Sequence, residues 1–240
     1  MRDQVVLASK AGRYKGEIFD HTPSRIRHSI DRSLHLLGTD YLDIFYLHDI
    51  EYVPLGPILE DSYAELLALR DLGKCRWIGM TGFPIKTMAT AIRTAHLDVA
   101  LTYAHATLLD DSATTTLVPL ALAHGTGLIN AAAVALGLLT SGPTKLRGGH
   151  PAPEAIIEAV NEMKTLCSDL GVDIAFLANQ YSIQRSGCTT TVIGTTRIEN
   201  VRSAVQAATT PIEEPVLDAV LALRPPVDAR TWQIGLPENN

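Results

Sequence analysis

Short apolar runs alternate with amphipathic stretches along the whole chain. Val5–Ala8 is an unbroken apolar run and reads as a buried strand. Thr22-Pro23-Ser24 then offers an N-cap with a proline at the first helical position. Ile26, Ile30, Leu34 and Leu37 give that helix one inward stripe, and Gly38 closes it. Asp43–His48 predicts a second strand, and Pro57–Leu72 a second helix ended by Gly73. Further strands are predicted over Arg76–Met80, Val99–Tyr103, Gly127–Ala133 and Thr190–Ile193. The intervening periodicity predicts helices over Ile85–Ala95, Ser112–His124, Ala155–Ile183 with a break at Gly171, Glu199–Ala208 and Pro215–Leu223.

Strand, loop and helix repeated with short connections imply parallel strands joined by right-handed crossovers. No shift in composition divides the chain, so a single domain over residues 1–240 is expected, with Ser141–Pro153, rich in Gly and Pro, as its one flexible-looking insertion. About six such units are too many for a small doubly wound sheet and two short of a closed eight-stranded barrel of roughly 250 residues. The expected fold is therefore α/β, a barrel whose first two units would lie upstream of Met1.

Composition narrows the function classes. With 46% hydrophobic and 19% charged residues the chain can bury a sizeable core, which excludes intrinsic disorder. Twenty Lys and Arg against 26 Asp and Glu leave a net charge of −6 without a basic cluster, which argues against nucleic acid and anionic membrane as partners. No run reaches the roughly 18 apolar residues of a membrane span. Cys75, Cys167 and Cys188 are an odd number with no C-x-x-C pair, so neither a disulfide framework nor a metal site is expected, and a reducing, cytoplasmic setting is.

In parallel α/β proteins the functional groups gather where the strands end, because all carboxyl ends open on one face. Lys10 closes the first strand and His48 the second. A lysine there can lower the pKa of a neighbouring acid, and a histidine can donate to a carbonyl oxygen or shuttle a proton. Equally, each is compatible with a loop-edge residue satisfied by solvent or backbone. Asp110-Asp111 reads as charge opening a helix, Asp20 and His21 as loop residues, and Trp77 and Trp232 as packing groups.

The segments Val5–Arg13, Ser29–His48 and Gly73–Gly82 resemble barrel units of the aldo-keto reductases. His48-Asp49-Ile50-Glu51-Tyr52, Ala135–Gly142 and Ala178–Ile183 most resemble the branch of that family containing L-galactose dehydrogenase, whose members oxidise a sugar at C1. Similarity covers nearly all of residues 4 to 224. The resemblance implies a (β/α)8 TIM barrel of aldo-keto reductase type and a hydride exchanged between NAD or NADP and a small carbonyl or sugar substrate. In the family a tyrosine is the general acid or base, a lysine and an aspartate tune it, and a histidine orients the substrate. Lys10 and His48 match the lysine and histidine. The aspartate and tyrosine normally stand in the second barrel unit, upstream of Met1. Tyr14, in the loop beyond Lys10, and Tyr46, on the strand of His48, are the local alternatives, more simply read as loop and packing residues.

On the cofactor side the resemblance implies Thr81 and Gly82 at the carboxamide and Tyr103 near the nicotinamide. The backbone N–H groups of Gly194, Thr195, Thr196 and Arg197, with the next helix, could cradle a pyrophosphate, Asn200 stands in the stretch of the family's adenosine contacts, and Arg197 reads equally as a phosphate contact or a solvated loop residue. Ala131-Ala-Ala-Val134 departs from the family's hydroxyl-and-proline pattern, and Asn200, Ser203 and Ala204 stand where an arginine for the 2′-phosphate is frequent, which leans towards NAD. A second reading is a truncated, non-catalytic protein acting as a binding or assembly partner, and open barrel edges would favour self-association.

Overall fold

Parallel strands covered on both faces are buried along their length, and Leu42–Leu47, apolar but for Asp43, is buried at all six residues. The computed structural model describes residues 2–142 and 149–240. The predicted insertion Ser141–Pro153 thus lies in part outside the described residues. The chain folds as two compact units, Met1–Leu101 with Leu120–Gly127 and Gln233–Asn240, and Thr102–Pro119 with Leu128–Trp232.

In the first unit β1 (Ala8–Ala11) is followed by a small antiparallel hairpin, β2 (Arg13–Tyr14) and β3 (Ile18–Phe19), and then by α1 (Pro23–Leu37) and β4 (Leu42–Leu47). After β4 come α2 (Tyr63–Asp71), β5 (Cys75–Thr81), α3 (Ile85–Thr94) and β6 (Val99–Tyr103). The ladder runs β1–β4–β5–β6 with every neighbour parallel; Tyr46 stands opposite Lys10 on one side and Gly79 on the other, and Thr81 stands opposite Leu101. Ile26 and Ile30 of α1, Leu66 and Leu69 of α2, and Met88 and Ile92 of α3 are buried, each contributing about 1.5–3 kcal/mol of apolar burial. Gly79 is required by its neighbours: a Cβ there would lie 2.3 Å from the Val99 carbonyl oxygen and 2.8 Å from the ring of Tyr46.

The strand expected at Val5–Ala8 forms three residues later. Leu7 is already engaged irregularly, its N–H donating to the Asp43 carboxylate at 2.8 Å, so the ladder starts at Ala8 opposite Ile44 and leaves Val5 and Val6 exposed. The β2–β3 hairpin has no counterpart in the sequence pattern, because strands of two residues carry no period. The helix expected over Pro57–Leu72 is regular only from Tyr63, after wide turns over Leu55–Ser62. Thr22 makes no capping bond; its hydroxyl is held by Asp20 at 2.7 Å. Leu37 and Trp77, expected in the core, are both largely exposed.

In the second unit β7 (Gly127–Ala131) and β8 (Thr190–Val192) pair in parallel, with Ile129 opposite Thr190. A short helix, α4 (Val118–His124), precedes β7 in the chain and lies mostly in the stretch Leu120–Gly127 that belongs to the first unit. Between the two strands stand α5 (Glu154–Asp169) and α6 (Ile174–Gln184), separated at Gly171, whose φ of +69° ends the first helix. After β8 come α7 (Ile198–Thr209) and α8 (Glu214–Leu221). Ile156, Val160 and Met163 of α5, Leu177 and Tyr181 of α6, and Leu217 and Val220 of α8 are buried. Asp110-Asp111 opens the helical turns that start at Ser112, as expected, with the Asp110 carboxylate accepting the Ser112 N–H at 3.0 Å, and Asp111 also pairs with Arg224 at 2.8 Å and Arg230 at 3.1 Å. No helix among the described residues is long and apolar enough to cross a membrane. The three cysteines are unpaired.

Candidate functional site

The first unit brings Lys10 and His48 onto adjacent strands. The His48 N–H donates to the Ala11 carbonyl at 2.7 Å, extending the β1–β4 pairing one step past the strand. Lys10 is exposed and forms no ion pair among the described residues; its positive charge adds to burial in holding the His48 imidazole below its ordinary pKa, while Asp49 pulls the other way. The His48 carbonyl accepts a hydrogen bond from His21 Nε2 at 2.8 Å. Room for that bond depends on Gly12, where φ is +122° and a Cβ would sit 2.1 Å from His21 Nε2.

Directly after His48 the chain makes a forced turn. Asp49 is buried and left-handed, with φ 56° and ψ 54°, a conformation that Asp tolerates better than most residues. Its N–H donates to Thr81 Oγ1 at 3.3 Å, and its carboxylate takes Arg13 Nη1 at 2.8 Å and lies 3.5 Å from His48 Nδ1. Arg13 also reaches Glu17 at 2.8 Å and lies over the stacked rings of Phe19 and Tyr52, whose centroids are 4.1 Å apart. The small hairpin is thereby fastened beside His48. Tyr14 and Tyr46 take structural positions. The Tyr14 hydroxyl is bonded to Ser29 Oγ at 2.7 Å and accepts the Gly12 N–H, and Tyr46 is buried with its pKa pushed up to about 12 by burial.

Thr81 and Gly82 stand at the carboxyl end of β5, both buried, with the Thr81 hydroxyl accepting from Asp49 and the Gly82 N–H donating to the Leu101 carbonyl at 3.2 Å. Beside them lies Glu51, wholly buried, whose Oε1 accepts the Phe83 N–H at 3.1 Å. Burial, reinforced by the negative charge of Asp49, pushes the Glu51 carboxyl up to about 7.

The second unit holds the remaining candidates. Tyr103 is half-buried at the end of β6, followed by Ala104 in the left-handed region, whose N–H donates to the Ala131 carbonyl at 3.0 Å. After β7, where Ala131–Val134 replaces the family pattern, Ala132, Ala135 and Leu136 all have positive φ, an accumulation of backbone strain of about 1–3 kcal/mol each. Beyond β8, Thr195 Oγ1 accepts the Arg197 N–H and the Asn200 Nδ2, both at 3.1 Å. Gly194, Thr196, Arg197 and Asn200 are exposed. No side chain caps α7, so its first N–H groups, the Arg197 guanidinium and the Asn200 amide form a donor set that fits a dinucleotide phosphate. Asp49, Arg13 and Glu51 do not stand out as site residues in the sequence, although two acids alternating in the apolar stretch after a strand end are there to be noticed.

An α/β chain with ionisable groups at the ends of parallel strands is the class these features define. A family model described as the aldo/keto reductase family matches residues 1–224. The chain belongs to the aldo/keto reductase family. It is 34% identical over 246 residues to L-galactose dehydrogenase of Arabidopsis thaliana, covering 99% of this chain and 76% of that protein. It is 29% identical to D-arabinose 1-dehydrogenase of Saccharomyces cerevisiae, covering 85% of this chain and 63% of the relative. An aldo-keto reductase from Bacillus halodurans, solved in its holo form, superposes with a TM-score of 0.76 at 22% identity, over 93% of this chain and 74% of that one. The fold is accordingly α/β and TIM-barrel-like.

Proposed function

We propose that the chain serves an NAD(P)-dependent oxidoreductase that moves a hydride between nicotinamide and a carbonyl or hydroxyl carbon of a small sugar-like or secondary-metabolite substrate. The carrying observation is that Lys10 and His48 stand at the ends of adjacent, hydrogen-bonded parallel strands, with burial and the charge of Lys10 holding the His48 imidazole below its ordinary pKa. A bound nicotinamide supplies or accepts the hydride. His48 would orient the substrate oxygen by hydrogen bonding, and Lys10 would favour negative charge on the tyrosine that the resemblance places in the family's second barrel unit, the group that would take or give the proton as the hydride moves. Asp49, anchored by Arg13, holds the histidine's loop against Thr81. The six parallel strands read as the third to eighth of the family's eight. Thr195, Arg197 and Asn200 would hold phosphate, with NAD favoured over NADP because Asn200, Ser203 and Ala204 occupy the stretch where a 2′-phosphate arginine is frequent. Three unpaired thiols support a cytoplasmic setting.

The test is NAD+ and NADP+ reduction with a panel of aldoses, together with dinucleotide binding by fluorescence quenching. The expected result is binding, and aldose turnover that falls by at least about a hundredfold in Lys10→Met and His48→Ala, the scale of a positioned proton-transfer group. Absence of both binding and turnover in the well-folded protein overturns the reading.

A further inference from the structure

Glu51 meets two parts of the first unit at once. Through its main chain it holds the segment Gln233–Asn240: its carbonyl oxygen accepts the Leu236 N–H at 2.9 Å and Asn239 Nδ2 at 2.8 Å. Through its side chain it holds the turn after β5, where Oε1 accepts the Phe83 N–H. Both contacts are close-packed. A Cβ on Gly235, where φ is +83°, would lie 2.4 Å from the Glu51 carbonyl oxygen, and a Cβ on Gly82 would lie 2.9 Å from Glu51 Oε2. That second carboxyl oxygen is buried and has no hydrogen-bond partner among the described residues.

The segment itself is a preformed cap. Asn240 accepts the Ile234 N–H at 3.1 Å and donates to the carbonyls of Ile234 at 3.1 Å and Leu236 at 2.8 Å, closing the segment on itself. Asn239, buried, adds a bond to the Val53 carbonyl at 2.9 Å, and Lys86 on α3 donates to the carbonyls of Glu238 at 3.2 Å and Asn240 at 3.0 Å. We propose that Glu51 is a positioning residue that couples the seating of residues 233–240 to the placement of Thr81–Phe83, so that the segment controls the turn the proposed function assigns to the cofactor's carboxamide. The assignment of that turn rests on the proposed function; the coupling does not.

The mechanism follows from burial. While the segment is seated, Glu51 is sealed from water and its uncharged carboxyl fits the pocket beside Gly82. When the segment lifts, Glu51 is hydrated and ionises readily, and the bond that fixes the Phe83 N–H is no longer held in a dry, packed site. The charged groups around it are Asp49, which disfavours ionisation, and Arg13, which opposes Asp49. Tyr52 adjoins it in the chain, and Lys86 and Glu238 belong to the elements that cover it. With the Glu51 carboxyl pushed up to about 7, raising the pH through neutrality favours the unseated state.

The experiment is hydrogen exchange with mass-spectrometric readout on the full chain at about pH 6 and about pH 8.5, corrected for intrinsic rates, for wild type, Asn239→Ala, Lys86→Ala and Glu51→Gln. Asn239→Ala touches none of residues 81–83, yet exchange should rise by about tenfold or more in both 233–240 and 82–83. Lys86→Ala, which loses only exposed bonds, should show the same pattern more weakly and stands in if Asn239→Ala does not fold. Wild type should lose protection in both stretches at the higher pH, and Glu51→Gln should keep it at both. Exchange rising in 233–240 alone, or an unchanged pH response in Glu51→Gln, overturns the coupling. Dinucleotide titration of the same proteins separates the two ideas. Wild type that binds no dinucleotide removes the proposed function and leaves the exchange result to decide the coupling.

Discussion

The strand ends of the first unit and the β8–α7 loop of the second are built on opposite principles. Around His48 the chain has turned under constraint, with Asp49 and Glu51 buried, one paired to Arg13 and one with its carboxyl pushed up to about 7 by burial, and with Gly12, Gly82 and Gly235 each filling a space too small for a Cβ. Around Arg197 the backbone is open: a Cβ at Gly194 would meet nothing within 4 Å, and Thr195 supplies the local order by bonding its neighbours. A group that must meet reacting atoms in one geometry benefits from such preorganisation, whereas a phosphate can be gripped by exposed backbone N–H groups and a flexible arginine.

That contrast is measurable. The largest effect is expected at Glu51. Its carboxyl is raised in the folded protein, so its proton stabilises the fold fully below the ordinary carboxylate range, and that stability is lost as pH rises through about 7. Glu51→Gln cannot ionise and should exceed wild type by roughly 3 kcal/mol at pH 9, with the difference shrinking to about 1 kcal/mol at pH 5 and vanishing only below about pH 4, in urea melts across that range. Parallel pH profiles for the two proteins would break the picture of a sealed acid. Next, Asp49→Ala should cost about 2 kcal/mol in the same melts, since alanine suits a φ of 56° poorly and Arg13 loses its buried partner. Asp49→Asn, which accepts the left-handed turn, should recover about half of that.

Gly82→Ala should cost about 1 kcal/mol, because Glu51 Oε2 at 2.9 Å and Met88 Sδ at 3.0 Å must both give way. At the other region Arg197→Ala should leave stability within about 0.5 kcal/mol of wild type while weakening dinucleotide binding about tenfold. Calorimetry and a binding titration test both halves. A stability loss above about 1 kcal/mol would show that the β8–α7 loop is also a built site.

Much of the architecture is legible in the sequence because long buried elements carry strong periods. Val99–Tyr103 forms as expected, the break at Gly171 separates α5 from α6, and Gly38 closes α1 in the left-handed conformation at φ 62°. Failures cluster where pairing or partners override local pattern. Val5 and Val6 look like strand but lie outside the ladder because Leu7 is taken by Asp43; Trp77 looks like core but faces outward. Lys10 and His48 could be singled out by their place at strand ends. Asp49 and Glu51 could not, because an acid after a strand reads as a solvated loop residue until its neighbours are known.

The order of helices and strands, the parallel connectivity and the placing of Lys10 and His48 at strand ends follow from the sequence by itself, since period, caps and turn residues act over a few neighbouring positions. Which acids lose their water was decided only by the tertiary structure. Residues 233–240 reach back across the chain to cover Glu51, and Arg13, 36 residues before Asp49, neutralises it. Ionisation depends on the dielectric and charges that long-range packing assembles around a group, and no local pattern encodes those.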